Sequence, residues 1–136
     1  MIPKVLFVAS LLFNSTQSNF EQSSIGTKAQ NPASKDENYV KSACQIWWGL
    51  PLMKTTSPRD MQAWAKKVMP TMGKALAKAS EAKKLNSKWS QFQLEMVTFY
   101  GSIYLGTDIT YSRTMFTTTI EKNAIKYLTS VCAKRH

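Results

Sequence analysis

The chain is 136 residues long and carries 18 Lys and Arg against 8 Asp and Glu, a formal net charge of +10. That length suits one domain of ordinary size with a single hydrophobic core. The positive charge favours acidic partners, such as nucleic acid, anionic lipid or another polyanion, without choosing among them.

The first 18 residues have the layout of a secretory signal peptide. Lys4 supplies a positive start, residues 5–13 are an unbroken apolar or small run (VLFVASLLF), and residues 14–18 are polar and small. Nine residues are too few to span a bilayer, which takes about 20. We therefore predict cleavage after Ser18, a mature chain of 118 residues that is secreted or periplasmic, and no membrane span after the cut.

The next residues are predicted to form a flexible leader and then a first helix. Residues 19–34 are rich in Ser, Gln and Asn and show no hydrophobic period, which predicts a flexible leader before a domain at 35–136. Ser34 and Glu37 have the spacing of a capping box, in which each side chain accepts from the other residue's backbone N–H. From there apolar residues recur at helical spacing until Gly49 ends the helix.

A second helix is predicted to begin at Pro58, with Ser57 as its N-cap. One side of this helix is apolar and consists of Met61, Trp64, Val68, Met72, Ala75, Leu76 and Ala79. Pro70 falls inside it, so we expect a kink or a short break, because proline removes a backbone donor and clashes with the preceding turn.

Two further helical segments follow. Residues 87–105 are apolar and aromatic, with Glu95 as the only acid, which is typical of the most buried element of a bundle. A fourth segment runs from Ile109 to about Lys134, and its apolar side holds Ile109, Phe116, Ile120, Ala124, Tyr127 and Val131. Threonines cluster near 110–119 and lower the helix propensity, which leaves a different local structure open there.

Four helical segments with short polar connections predict an all-α fold, a small antiparallel four-helix bundle. The first and last helices are then neighbours, so that Cys44 and Cys132 can form the one disulfide expected of an exported domain. Closing this loop stabilises the fold by about 4 kcal/mol in the chain-entropy model. We expect no metal site, because two cysteines would need further ligands and the only histidine is His136, the last residue.

The distinctive surface is the basic side of the second helix. Residues 54–88 hold nine basic and two acidic residues. The predicted face for an anionic partner consists of Lys66, Lys67, Lys74, Lys78 and Lys84. Its alternative is a plain solvated side, since lysine is a good helix former. The shortage of arginine argues against nucleic acid, whose recognition favours the guanidinium fork.

Two other features have both a functional and a packing interpretation. Trp48 lies off the apolar side of the first helix and precedes an apolar loop, so it is either a contact for a partner or lipid interface, or it packs under that loop. Met69 and Met72 have the spacing of thioether ligands for Cu(I), with Met61 on the same side, yet methionine ordinarily fills gaps in a core.

No catalytic arrangement is recognised, because the acids are scattered and no nucleophile or cofactor motif is present. We expect a non-enzymatic exported interaction module without a cofactor, whose partner is a protein or an anionic polymer or lipid surface. The oligomeric state is left open. The alternative is a membrane-active or polyanion-binding effector, toxin-like, whose cationic second helix enters the lipid interface. A Cu(I)-handling protein is a third option.

Overall fold

The computed structural model describes residues 34–53 and 57–136, and these residues form five α-helices and one 3-10 turn, without a strand. The helices are α1 (Lys35–Trp48), α2 (Pro58–Leu85), α3 (Ser90–Gly106), α4 (Ile109–Ser112) and α5 (Thr119–Cys132), and the 3-10 turn over Ser87–Trp89 leads into α3. The prediction of a helical fold is thereby confirmed. The predicted signal peptide and all but the last residue of the predicted leader lie outside the described residues.

The start of α1 is built differently from its prediction. Ser34 occupies the N-cap position but makes no side-chain hydrogen bond to the helix backbone. Its Oγ donates instead to the carboxylate of Asp36. Glu37 pairs with Arg135 near the C-terminus, with Nε–Oε1 and Nη2–Oε2 distances of 3.2 and 3.3 Å. The predicted capping box is wrong because both of its side chains have other partners.

α2 is one helix of 28 residues and continues through Pro70. The short break that the sequence allows does not occur. Pro70 is exposed, whereas Val68 and Met72 on either side of it are buried in the same core. Packing on both sides of the proline therefore holds the helix together despite the lost hydrogen bond.

The core lies around α2, which packs against α1 and α3, while α3 also packs against α5. Its fully buried larger side chains are Val40, Cys44, Met72, Phe92, Met96, Ile103, Leu128 and Cys132. Cys44 and Cys132 form the predicted disulfide, with a Cα–Cα distance of 5.2 Å. The bridge joins α1 to the end of α5.

The segment predicted as a fourth helix is divided into α4 and α5. The different local structure that the threonines left open near residues 110–119 is therefore confirmed. Between these helices Phe116 has a φ of 63°, in the left-handed region that helices do not use. Ile109 and Ile120 are 43% and 70% exposed. Their predicted place on the buried side is wrong, because the segment is two helices and each isoleucine lies in the first turn of one of them, at an exposed helix start.

Candidate functional site

The basic side chains of α2 lie on the side opposite its buried residues. That buried side consists of Met61, Ala65, Val68, Met72, Ala75, Ala79 and Ala82. At about 100° per residue, Lys67, Lys74 and Lys78 fall in one row along the helix and Lys66 and Lys84 in a second row beside it. All of these except Lys78 are exposed. We call these five residues the lysine face.

Little negative charge lies near the lysine face. Lys84 Nζ is 3.2 Å from Glu81 Oε2, in a pair exposed enough to contribute little to stability. Within residues 34–53 and 57–136, no carboxylate lies at ion-pair distance from Lys66, Lys67 or Lys74. Three ammonium groups on one side of α2 are therefore left to solvent or to a partner.

Lys78 differs from the other members of the lysine face because it also contacts α1. The residue is half-buried, and its Nζ lies 5.6 Å from the centroid of the Tyr39 ring. This distance is within the range of a cation–π interaction. Lys78 therefore helps to join α2 to α1, and a substitution there changes packing as well as charge.

Trp48 is 41% exposed, as its place off the apolar side of α1 predicts. One face of its ring stacks on the imidazole of His136, with the centroids 4.0 Å apart and the planes 2° from parallel. Trp47 approaches edge-on at 5.8 Å. The indole is thus only partly available to a partner. The predicted Cys44–Cys132 bridge brings the C-terminal residues back to the end of α1, but the stacking of His136 on Trp48 was not predicted.

A second basic group lies where the C-terminus meets α1. Lys41, Lys134 and Arg135 line an open depression of about 330 Å³ together with Glu37 and Asn38. Arg135 already has partners there: it pairs with Glu37, donates to the carbonyl of Val131 at 2.7 Å and lies over the ring of Trp89. Sequence reasoning missed this group because its members come from opposite ends of the domain.

The methionines of the copper hypothesis belong to the core. Met72 is fully buried and Met61 is 7% exposed, while Met69 is partly buried against the same cluster. This placement agrees with the packing interpretation. In the described part of the chain, no group of three or more His, Cys, Asp or Glu side chains is arranged to hold a metal ion.

Among the residues that the structure describes, two carboxyl groups have shifted pKa values, and hydrogen bonds lower both. Hydrogen bonds from the Ser34 hydroxyl and then the Trp89 indole lower the pKa of Asp36 to about 2, against the opposing effect of burial. Burial raises the pKa of Glu121, but the hydrogen bonds to its carboxylate, first among them that of the Thr118 hydroxyl, together outweigh this, and the net shift is downward. Thr118 and Glu121 form the capping box of α5. Both acids are thereby tied to helix starts.

Among the described residues, no helix is both long enough and apolar enough to cross a membrane. Comparisons of the chain with models of protein families, with curated proteins and with solved structures found no match. Functional inference therefore rests on the residues of this chain alone.

Proposed function

We propose that the protein is an exported, non-enzymatic interaction module whose lysine face binds an anionic partner outside the cytoplasm. The observation that carries the proposal is the state of Lys66, Lys67 and Lys74. All three are exposed, and no carboxylate of the described chain lies at ion-pair distance from them.

Such an arrangement has an energetic cost that a partner would remove. Like charges one helical turn apart, such as Lys74 and Lys78, destabilise a helix by about 0.2–0.5 kcal/mol for each pair. An anionic partner neutralises this repulsion and gains counter-charge from several lysines at once. The scaffold we propose is an antiparallel bundle of four helices, α1, α2, α3 and α5, with α2 bent at Pro70.

Two features support an extracytoplasmic location. The start of the sequence has the signal-peptide pattern, with Lys4 before a short apolar run. The disulfide between Cys44 and Cys132 is of a kind that persists in oxidising compartments and is rare in the cytosol.

Charge reversal on the lysine face tests the proposal. Lys67 and Lys74 are the best pair to change, because both are exposed and neither shares the contact of Lys78 with Tyr39. The matched control reverses Lys122 and Lys126, two exposed lysines of α5, and so makes the same change in net charge elsewhere. Binding to heparin, as a soluble polyanion, is measured by titration at low and at physiological salt for the wild type and both double variants.

We expect Lys67→Glu/Lys74→Glu to abolish heparin binding and Lys122→Glu/Lys126→Glu to weaken it only slightly. Binding of the wild type should fall steeply with salt, because the Debye length is only about 8 Å at physiological ionic strength. Equal losses in both double variants would reject the lysine face and leave only an effect of net charge.

A parallel measurement separates the module from the membrane-active alternative. Vesicles of phosphatidylglycerol and phosphatidylcholine, filled with a fluorescent dye, are mixed with the mature protein. Under our proposal the vesicles keep their dye. Release of the dye that requires Lys67 and Lys74 would instead identify an effector whose helix α2 enters the lipid interface.

A further inference from the structure

One side of α3 is apolar and open to solvent. Leu94, Val97, Tyr104 and Leu105 are each 40–59% exposed. At about 100° per residue they fall on the side opposite the buried residues Phe92, Met96, Phe99 and Ile103. Gly101 lies in the middle of this side, and a Cβ added there would meet no atom within 4 Å. We call the five outward residues the α3 face.

The α3 face is also free of charge, which is unusual on a chain with a net charge of +10. From Ser90 to Leu105 its outward positions hold no Lys, Arg, Asp or Glu. The basic side chains lie on other helices, so this is a side on which two copies can approach with little repulsion. Four partly exposed large side chains lie together on this face, and contiguous exposed apolar patches often mark interaction sites.

We propose that the α3 face joins two copies of this chain in an antiparallel homodimer, an interaction beyond the proposed function. The argument for a second copy is that the face is complementary to itself. The two-fold axis would cross the α3 face at the level of residue 99, whose own side chain is buried on the other side of the helix. Val97 of each copy then meets Gly101 of the other, and Leu94 meets Tyr104. The bulky residue then fills the space that the glycine leaves, and the two backbones come close.

Charges at the two ends of the α3 face also favour the antiparallel orientation of the two copies. In the antiparallel pair, Asp108 of each copy comes to the level of Ser90 on the other, two residues from Lys88. All three are exposed, so the acidic end of one copy faces the basic end of the other. A parallel pair would instead place Gly101 against Gly101 and Asp108 against Asp108. It would leave a gap in the middle and repulsion at one end.

The size of the patch predicts a weak dimer. A stable interface buries about 800 Å² on each partner, more than four partly exposed side chains supply, so we expect a dissociation constant in the micromolar range. Sedimentation velocity of the mature chain, over a dilution series that reaches the high micromolar range, measures the dissociation constant. The same series is run on Val97→Lys and on its matched control Ala77→Lys, which adds the same charge at an exposed position of α2.

We expect Val97→Lys to raise the dissociation constant by about tenfold or more, since a lysine would be desolvated against the apolar partner. Ala77→Lys should leave it nearly unchanged. Gly101→Leu should also prevent dimerisation, because its Cβ meets no atom within 4 Å in one copy while the rest of the side chain fills the place of Val97 from the other. Circular dichroism checks that each variant is folded.

Three outcomes would overturn the proposal. The wild type is monomeric throughout the dilution series, or Val97→Lys and Ala77→Lys affect the dimer equally, or Gly101→Leu still dimerises. Binding of the monomeric wild type to phosphatidylcholine vesicles, lost in Val97→Lys, would likewise reject the dimer and assign the face to lipid.

Discussion

Trp89 connects three parts of the chain. Its indole Nε1 donates to Asp36 Oδ2 at 2.9 Å, and the Arg135 guanidinium lies 5.5 Å from the ring centroid. Lys88 Nζ lies 5.1 Å from the same ring. Asp36 is only 8% exposed, so its carboxylate depends on hydrogen bonds from the Trp89 indole and the Ser34 hydroxyl in place of water. A single aromatic residue therefore holds the start of α1 and the C-terminus to the start of α3.

This contact predicts a specific dependence of stability on pH. The pKa of Asp36 is lowered from 3.8 to about 2, first by Ser34 and then by Trp89. Because the folded pKa lies below the unfolded one, the ionised group stabilises the fold fully above about pH 4, and this contribution is lost as the pH falls towards 2. We expect Asp36→Asn to lower the Tm by several degrees at pH 7 and by much less at pH 2.

Thermal unfolding at pH 7, 4 and 2 measures that difference. Trp89→Phe, which keeps the ring and removes the donor, and the double variant supply the control. The two losses should be less than additive, since both changes act on the hydrogen bond between Trp89 and Asp36. A gap between wild type and Asp36→Asn that is constant from pH 7 to pH 2 would contradict an ionised, hydrogen-bonded Asp36.

At the scale of the elements, helix bounds could be predicted well from local signals. Pro58 and Gly49 mark a helix start and a helix end where the sequence places them. Local signals failed where tertiary contacts decide the outcome. Glu37 does not form the predicted capping box, because it pairs with Arg135, which is 98 residues away in the sequence. The capping box that does form, at Thr118 and Glu121, could have been found from its spacing alone.

The division between α4 and α5 is also determined by distant contacts. Ser112 is fully buried, and its Oγ donates to the carbonyl of Pro58 at 2.9 Å, which holds α4 to the start of α2. Phe116 stacks on Phe99, with centroids 4.9 Å apart. These contacts stabilise the left-handed conformation of Phe116, which periodicity cannot predict, since the gain in packing outweighs the local strain.

For the candidate site, the sequence predicts which lysines share a side of α2. The contact of Lys78 with Tyr39 could not be predicted, because it depends on how α1 packs against α2.

Two glycines of α3 provide a matched test of how this helix packs, because one lies beside open space and the other beside Met115. Gly101→Ala should stabilise the monomer by about 0.5–1 kcal/mol, because the methyl group has open space and alanine favours the helix. Gly106→Ala places a Cβ 2.2 Å from Met115 Sδ, and Met115 is only 5% exposed. We expect the second change to destabilise the fold by about 1–3 kcal/mol.

Urea unfolding of both variants, at dilutions where the chain is monomeric, measures these free energies. The two substitutions are chemically identical and lie in one helix, so helix propensity alone predicts the same sign for both. A gain in stability at Gly106 would mean that Met115 does not pack against α3 as described.

At the scale of the whole molecule, the Cys44–Cys132 bridge spans 88 residues and closes nearly the entire domain. α1 packs far more extensively against α2 than against α5. The disulfide and the Glu37–Arg135 pair are therefore the main links between α1 and the residues at the end of α5. The ion pair is about 30% exposed and should contribute no more than about 1 kcal/mol. The covalent bond is therefore the stronger of the two links.

Removal of the bridge by Cys44→Ala/Cys132→Ala should lower the free energy of unfolding by about 2–5 kcal/mol. The loss should also be uneven across the molecule, because α5 packs mainly on α3 while α2 remains between α1 and α3. Hydrogen–deuterium exchange should then rise more in the amides of residues 119–132 than in those of residues 58–85. Glu37→Gln, which opens the ion pair alone, serves as the comparison and should raise exchange only near the C-terminus. Equal increases in amide exchange in α2 and α5, or a loss of stability under about 1 kcal/mol, would mean that packing rather than the disulfide joins α1 to α5.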